Sequence, residues 1–264
     1  VAALQLRVTG AAGSRRVSTV VRGVFGNLGR NFLESLSIPP ALAEDGLFRE
    51  ADPGLITRLK ESGRPIVCLT AHFGNWDILA ALMVQRGFDL TVIGREARSP
   101  ALQQVLAALR ARYGVKTIWR SEGPKVIRSI LSALKSGGTV GALIDQDTRV
   151  AGTSVPFFGI PAHTPHSLLE LAARTNAHLV GALLRRERTA QGWGGIVEVR
   201  EFDAGKPAEE VLAEYHRFLE EQIRLAPEQW VWVHKRWRTR PDGYRESSRE
   251  YAARLKAMEC ASFS

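Results

Sequence analysis

Residues 65–94 read PIVCLTAHFGNWDILAALMVQRGFDLTVIG, and the way this stretch divides decides the fold class. Pro65 to Thr70 is a short apolar run, the pattern of a strand covered on both faces. Gly74 permits a tight backbone path, and Asn75 supplies a side-chain oxygen for the free N–H groups of a new helix. That helix is expected from about Asn75 to Arg86, and Leu90 to Gly94 reads as the next strand. Strand, helix and strand joined by short turns make a β-α-β unit, whose strands run parallel and whose crossover is right-handed.

The alternation continues downstream. A helix opened by Ser99-Pro100 and closed by Gly114 precedes a strand from Val115 to Trp119. A helix from about Pro124 to Lys135 then leads to a strand from Thr139 to Asp145. A helix from Pro165 to about Thr175 is followed by a strand from His178 to Arg185. A further strand near Gly195 to Phe202 can pair with it as a hairpin across Thr189 to Gly194. Pro207 opens a helix to about Leu225, and a last polar helix is expected over Ser247 to Met258. Upstream, Asp52-Pro53 starts a short helix that reaches Gly63. The expected fold is α/β, with a mostly parallel central sheet flanked by helices. Gln146 to Thr164 reads as a long loop, a feature that is often functional in a compact domain. Val17, Val20, Val21, Val24, Leu28, Phe32 and Leu36 form an amphipathic stripe ended by Pro39 and Pro40. With Arg15, Arg16, Arg22 and Arg30, that helix can lie on an anionic membrane surface or pack on the domain.

The 264 residues carry 36 Lys and Arg against 27 Asp and Glu, a formal charge of +9, with 45% hydrophobic residues. This composition excludes disorder, collagen-like repeats and disulfide scaffolds. The two cysteines, Cys68 in an apolar run and Cys260 near the end, argue for a reduced compartment and against a cysteine zinc site. No stretch reaches the ~18 apolar residues of a spanning helix. Much of the charge sits in two windows. Arg95, Arg98, Arg110, Arg112, Lys116, Arg120, Lys125 and Arg128 face only Glu96 and Glu122, and Arg224, Lys235, Arg236, Arg238 and Arg240 face only Glu228. These windows are either solvated faces or parts of an anion-binding surface.

Serine-hydrolase elbows, phosphate-binding P-loops, dinucleotide fingerprints and zincin helices all lack their motifs here. Cys68 is expected as a buried small hydrophobe. His163, His166 and Glu170 are spaced as capping or surface residues better than as metal ligands, so no metal is expected. What remains is His72-Phe-Gly-Asn-Trp-Asp77, at the carboxyl end of a strand, where open α/β sheets bind ligands. Five residues apart, the pair cannot stack on one helix face. If the chain folds back in the turn, Asp77 can fix the imidazole tautomer and leave the other ring nitrogen as a general base. On spacing alone an equal alternative stands: Asp77 satisfies a helix N-terminus and His72 is a packed turn residue.

This block resembles the H-x4-[DE] motif of the membrane glycerolipid acyltransferases, and more closely the late, lauroyl/myristoyl acyltransferases of lipid A biosynthesis. Further blocks match in order: Gly29-Arg30-Asn31-Phe32, Gly94-Arg95 with Ser99-Pro100, Asp145-Gln146, and Pro156-Phe157-Phe158-Gly159 with Ala162 to Pro165. Pro227-Glu228-Gln229-Trp230-Val-Trp232-Val-His234-Lys235-Arg236 completes the series. The resemblance implies a glycerolipid-acyltransferase-like fold. The activity it implies is transfer of a fatty acyl chain from acyl carrier protein, or acyl-CoA, to a hydroxyl of a membrane glycolipid, a lipid A precursor first. His72 and Asp77 would be catalytic; Asn75, Arg95, Asp145, Gln146, Phe157 and Phe158 would bind substrate, the two phenylalanines in an acyl groove or in core packing. No cofactor and no nucleic acid are implied. The expected domains are an N-terminal amphipathic region over 1–40, the catalytic domain over 41–242 and a tail over 243–264.

The resemblance also implies the cytoplasmic face of the bacterial inner membrane, reached peripherally or through an N-terminal anchor that this chain lacks. Many lipid A enzymes carry Glu where Asp77 stands; the Asp form also occurs in relatives that acylate phosphatidylinositol mannosides, which makes that glycolipid the alternative acceptor. Trp230, Trp232 and Trp237, interleaved with Lys235, Arg236, Arg238 and Arg240, are expected to form an aromatic-basic membrane interface. A nucleic-acid-binding protein and an acyl-ester hydrolase are the competing classes.

Overall fold

The computed structural model describes residues 1–36, 38, 46–97, 99–123, 125–189 and 192–261. Along the chain run α1 (Ala2–Thr9), α2 (Val17–Leu36), β1 (Phe48–Glu50), α3 (Pro53–Glu61), β2 (Ile66–Thr70), α4 (Trp76–Gln85), β3 (Leu90–Gly94), α5 (Pro100–Arg112) and β4 (Lys116–Trp119). There follow α6 (Lys125–Lys135), β5 (Thr139–Leu143), β6 (Gly152–Phe157), β7 (Ile160–Pro165), α7 (Ser167–Thr175), β8 (His178–Thr189), β9 (Gly192–Phe202), α8 (Ala208–Leu225) and α9 (Ser248–Ala261). The chain separates into two units. A sheet unit comprises Asn31–Leu143 and Leu168–Gly205; a second unit comprises Val1–Arg30, Ile144–Ser167 and Lys206–Ser264.

In the sheet unit the strand order is β1-β9-β8-β2-β5-β3-β4. All neighbours are parallel except β8 and β9, which form the expected hairpin. The fold is thus α/β with a mostly parallel sheet, as the alternation of elements predicts. β2 lies inside the sheet between β8 and β5, and this position explains its unbroken apolar run. Val67 and Leu69 are fully buried on one face, while Ile66 and Cys68 pack on the other against Ile78, Leu79 and Leu82 of α4. Predicted helix starts are capped as read: Asp52 accepts from the Leu55 N–H at 3.0 Å and Ser99 from the Leu102 N–H at 3.4 Å. Thr70 pairs with Leu143 and Gly94 with Trp119, so β2, β5, β3 and β4 all end on one edge of the sheet. β1, three residues long, is too short to show a period in the sequence. Pro39 and Pro40 at the end of α2, Arg98, and Pro124 ahead of α6 lie outside the described residues.

The second unit corrects two expectations. Gln146 to Thr164 is not simply a long loop, because β6 and β7 form an antiparallel hairpin within it. Val155 and Phe157, then Ile160, Ala162 and Thr164, are buried at every second position. Pro156 and Pro161 obscure that alternation in the sequence, yet a two-stranded ribbon tolerates them because both strands are edges. The turn at Phe158 (φ 51°) and Gly159 (φ 72°) has both central residues at positive φ, the conformation that matches the twist of a tight hairpin.

The aromatic-basic interface is also absent as drawn, since Trp230, Trp232, Trp237 and Arg236 are all buried within this unit. Each indole N–H is satisfied: Trp230 donates to Asp145 Oδ2 at 2.8 Å, Trp232 to the Pro227 carbonyl at 2.7 Å and Trp237 to the Phe157 carbonyl at 3.1 Å. The rings therefore bury their large apolar area without stranding a donor. Arg236 donates to the His163 carbonyl at 2.6 Å and to Thr164 Oγ1, and stands over the Phe157 ring. His216 sits in the same core. Burial, and then the neighbouring Arg236 charge, push its pKa down to about 3, so it stays a neutral packing residue.

Trp237 stacks on Phe157 with ring centroids 5.8 Å apart. Replacing it by alanine should cost about 3–5 kcal/mol of stability through the cavity left behind, read as a shift of the denaturation midpoint at unchanged m-value.

Candidate active site

The turn between β2 and α4 holds the residues singled out in the sequence. His72 and Asp77 are half-buried and Asn75 is buried. Asn75 caps α4, its Oδ1 accepting from the Asp77 and Ile78 N–H groups at 3.1 Å each. Gly74 has φ 58°, a left-handed conformation that glycine adopts without a Cβ clash. The turn is held from outside by polar side chains of the same unit. Asn31 Nδ2 donates to the Gly74 carbonyl. Asn75 Nδ2 donates to Glu34 Oε2 at 3.0 Å. Arg186 Nη2 closes the set by donating to Asn31 Oδ1 at 2.8 Å and to Glu34 Oε2. One buried guanidinium on β8 thus ties the last turns of α2 to the turn that carries His72.

Asp77 is fixed separately. Ser35 Oγ donates to Asp77 Oδ2 at 3.3 Å, and Arg110 Nε lies 3.5 Å from Asp77 Oδ1. Both partners of the Arg110–Asp77 pair keep about a fifth of their side-chain surface exposed, 21% and 23%, so solvent weakens their attraction but leaves it directional. The Arg110 guanidinium also stands 5.9 Å from the Trp119 ring centre. His72 meets the Trp76 ring edge-on, with centroids 5.0 Å apart. An apolar cavity of about 50 Å³ opens beside Asp77, with Trp76, Leu79, Ala80, Met83, Val92 and Leu143 among its walls. Cys68 lines it too, and burial pushes its thiol up to about 12, which removes it as a nucleophile near neutral pH.

Arg95 is exposed directly after β3, on the sheet edge where β2 also ends. Asp145, Gln146, Phe157 and Phe158 belong to the second unit. There Asp145 is buried against Trp230, Gln146 is half-buried, and Phe157 is wholly buried in the aromatic core beside Phe158. Among the described residues no group of three or more His, Cys, Asp or Glu is placed to hold a metal ion; His163 instead donates Nε2–H to the Val150 carbonyl at 3.0 Å.

Sequence reading missed Glu34, Ser35 and Arg186, and counted Arg110 only as part of a basic window. A signal existed for the helix side: Asn31, Glu34 and Ser35 stand three and four residues apart, hence on one helix face; Arg186, inside the charged run from Arg185 to Arg188 at the end of β8, carried none.

A family model described as bacterial lipid A biosynthesis acyltransferase matches residues 49–239. A phosphatidylinositol mannoside acyltransferase of Mycobacterium tuberculosis is 26% identical over 178 residues, 67% of this chain and 55% of its own length. The lipid A biosynthesis palmitoleoyltransferase of Escherichia coli is 28% identical over 147 residues, covering 54% of this chain and 48% of its own. The lipid A biosynthesis lauroyltransferase of Escherichia coli is 32% identical over 122 residues, 45% of this chain and 40% of its own. The chain spans about half the length of the curated relatives it matches.

Arg186→Met should strand Glu34 and Asn31 and lower stability by about 1–3 kcal/mol in urea denaturation. Iodoacetamide at pH 8 should label exposed Cys260 and leave Cys68 untouched in the folded protein, with both labelled after denaturation; mass spectrometry reads the two sites separately.

Proposed function

We propose that this chain, which belongs to the bacterial lipid A biosynthesis acyltransferase family, transfers a fatty acyl group from acyl carrier protein or acyl-CoA to a hydroxyl of a membrane glycolipid, a lipid A precursor first. The observation that carries this reading is the capped, buttressed turn that presents His72 and Asp77 at the carboxyl edge of the sheet, inside the matched segment. The catalytic domain is taken as residues 41–242.

In this mechanism neutral His72 accepts the proton of the acceptor hydroxyl as its oxygen attacks the thioester carbonyl carbon. The tetrahedral intermediate then expels the thiolate, which takes the proton back from the imidazolium. The products are an ester and a free thiol, with no acyl-enzyme. Asp77 favours the charged imidazole in the transition state, while Ser35 and Arg110 hold the carboxylate in place. Arg95 binds an acceptor phosphate or the developing oxyanion. Half-buried Gln146 positions substrate, while Asn75 acts through the helix start it caps and Asp145 through the Trp230 indole it holds. The apolar cavity beside Asp77 suits the first carbons of the acyl chain next to the thioester.

Exposed Arg95, Arg112 and Arg120 suit an acidic carrier protein and anionic lipid. Among the described residues no helix is long and apolar enough to cross a membrane. α2 nevertheless exposes Phe25, Phe32 and Leu33, which supports interfacial attachment at the cytoplasmic face of the inner membrane. A phosphatidylinositol mannoside is the second acceptor to test, favoured by the Asp at position 77 and by the mycobacterial relative.

With purified protein, acyl carrier protein donor and glycolipid acceptor, His72→Ala should lower transfer about 10²–10⁴-fold with circular dichroism unchanged. A His72→Ala protein of full activity would sink the mechanism. Release of free fatty acid at the same rate with and without acceptor would identify a hydrolase instead.

A further inference from the structure

The second unit contains an open groove of about 630 Å³ between the segment leading into β6 and the loop that follows Trp237. Arg149, Arg240 and Arg245 line it, together with His163 and the hydroxyl side chains of Thr148, Thr153, Ser154 and Thr239; no carboxylate is among its lining residues. Two buried acids outside the lining hold its arginines, and exposed Asp242 lies in the loop next to Arg240. Asp147, 3% exposed, receives Arg245 Nη1, the Thr239 hydroxyl at 2.9 Å and the Thr239 N–H at 2.6 Å. Fully buried Glu246 receives Arg240 Nε at 2.9 Å and Arg254 Nε at 2.8 Å. Arg240 and Arg245 nevertheless keep 45% and 25% of their side chains exposed, so they retain N–H donors toward solvent. The Arg149 side chain has no ion pair or hydrogen bond among the described residues and is exposed. Thr148 Oγ1 is buried there without a hydrogen-bond partner.

Two guanidiniums anchored from behind and a third left uncompensated make a preorganised anion trap. We propose that this groove binds a phosphate ester, gripped by Arg149, Arg240 and Arg245. A phosphomonoester brings about −1.5 to −2 charges and three terminal oxygens, which matches three guanidiniums and the hydroxyls around them better than a carboxylate does. The volume falls within the ~300–1,000 Å³ of small-molecule sites and exceeds what a bare ion needs, so the phosphate arrives on a larger body. A phosphorylated sugar is the ligand class this favours. That choice rests on the glycolipid acceptor proposed above; the phosphate site itself does not.

Isothermal titration of the full chain with glucose 1-phosphate, coenzyme A and inorganic phosphate tests it, with glucose and succinate as controls. Phosphate-bearing probes should bind, succinate and glucose should not, and Arg149→Glu should weaken the phosphate probes roughly tenfold or more while the melting temperature holds. Arg149→Glu/Arg240→Met should abolish binding. Tightest binding of glucose 1-phosphate assigns the site to a sugar headgroup, whereas tightest binding of coenzyme A assigns the phosphate ester to the donor. Absence of binding, binding indifferent to Arg149→Glu, or equal competition by succinate overturns the proposal. Acyl transfer to a phosphate-free glycolipid, measured on the same preparations, separates the two readings. Transfer without phosphate binding leaves the acyltransferase and removes the groove; Arg149-dependent binding without transfer does the reverse.

Discussion

The Arg186 guanidinium, 9% exposed on an interior strand, is the constraint on which the candidate site depends. Burying a cation costs several kcal/mol unless charge and hydrogen bonds replace its water. Here Glu34 supplies the charge and Asn31 the oxygen, and both are thereby oriented for a second task. Asn31 turns its amide to the Gly74 carbonyl, and Glu34 accepts from Asn75. A cation that had to be neutralised therefore dictates the path of a turn, and the turn presents His72 and Asp77.

The second unit uses the same device. From Val231 to Ser247 the chain forms no regular helix or strand, only the Thr239–Arg245 bridge, and buried acids tie its side chains down. Asp145 takes the Trp230 indole, Asp147 takes Thr239 and Arg245, and Glu246 takes Arg240 and Arg254. Turn bonds such as Trp232 N–H to the Trp230 carbonyl and Glu246 N–H to the Arg238 carbonyl meet much of the backbone, and the acids fix the side chains around it, Asp147 also accepting the Thr239 N–H. Fixed guanidiniums at the surface of that unit are a by-product of this arrangement.

The net charge of +9 acquires a different meaning once these pairs are known. Arg110 is committed to Asp77 and Arg236 is sealed in an aromatic core, so neither belongs to a free electrostatic face. Counting charge along the sequence finds where basic residues cluster. It does not separate cations that screen a buried acid from cations that await a partner, because that depends on acids distant in the chain.

The α/β class, most helices and strands, the caps at Asp52, Asn75 and Ser99, and the His72–Asp77 block were all readable from sequence. Each rests on contacts within a few residues, where periodicity and capping chemistry are local. The β6–β7 hairpin was hidden by two prolines at positions a ribbon tolerates, and the burial of three tryptophans by basic neighbours that suggested a surface. Arg186 with Asn31 and Glu34, or Asp147 with Arg245, join residues about 100 or more positions apart. Only tertiary structure decides such pairs, since a charged side chain carries no local mark of the partner that will make its burial affordable.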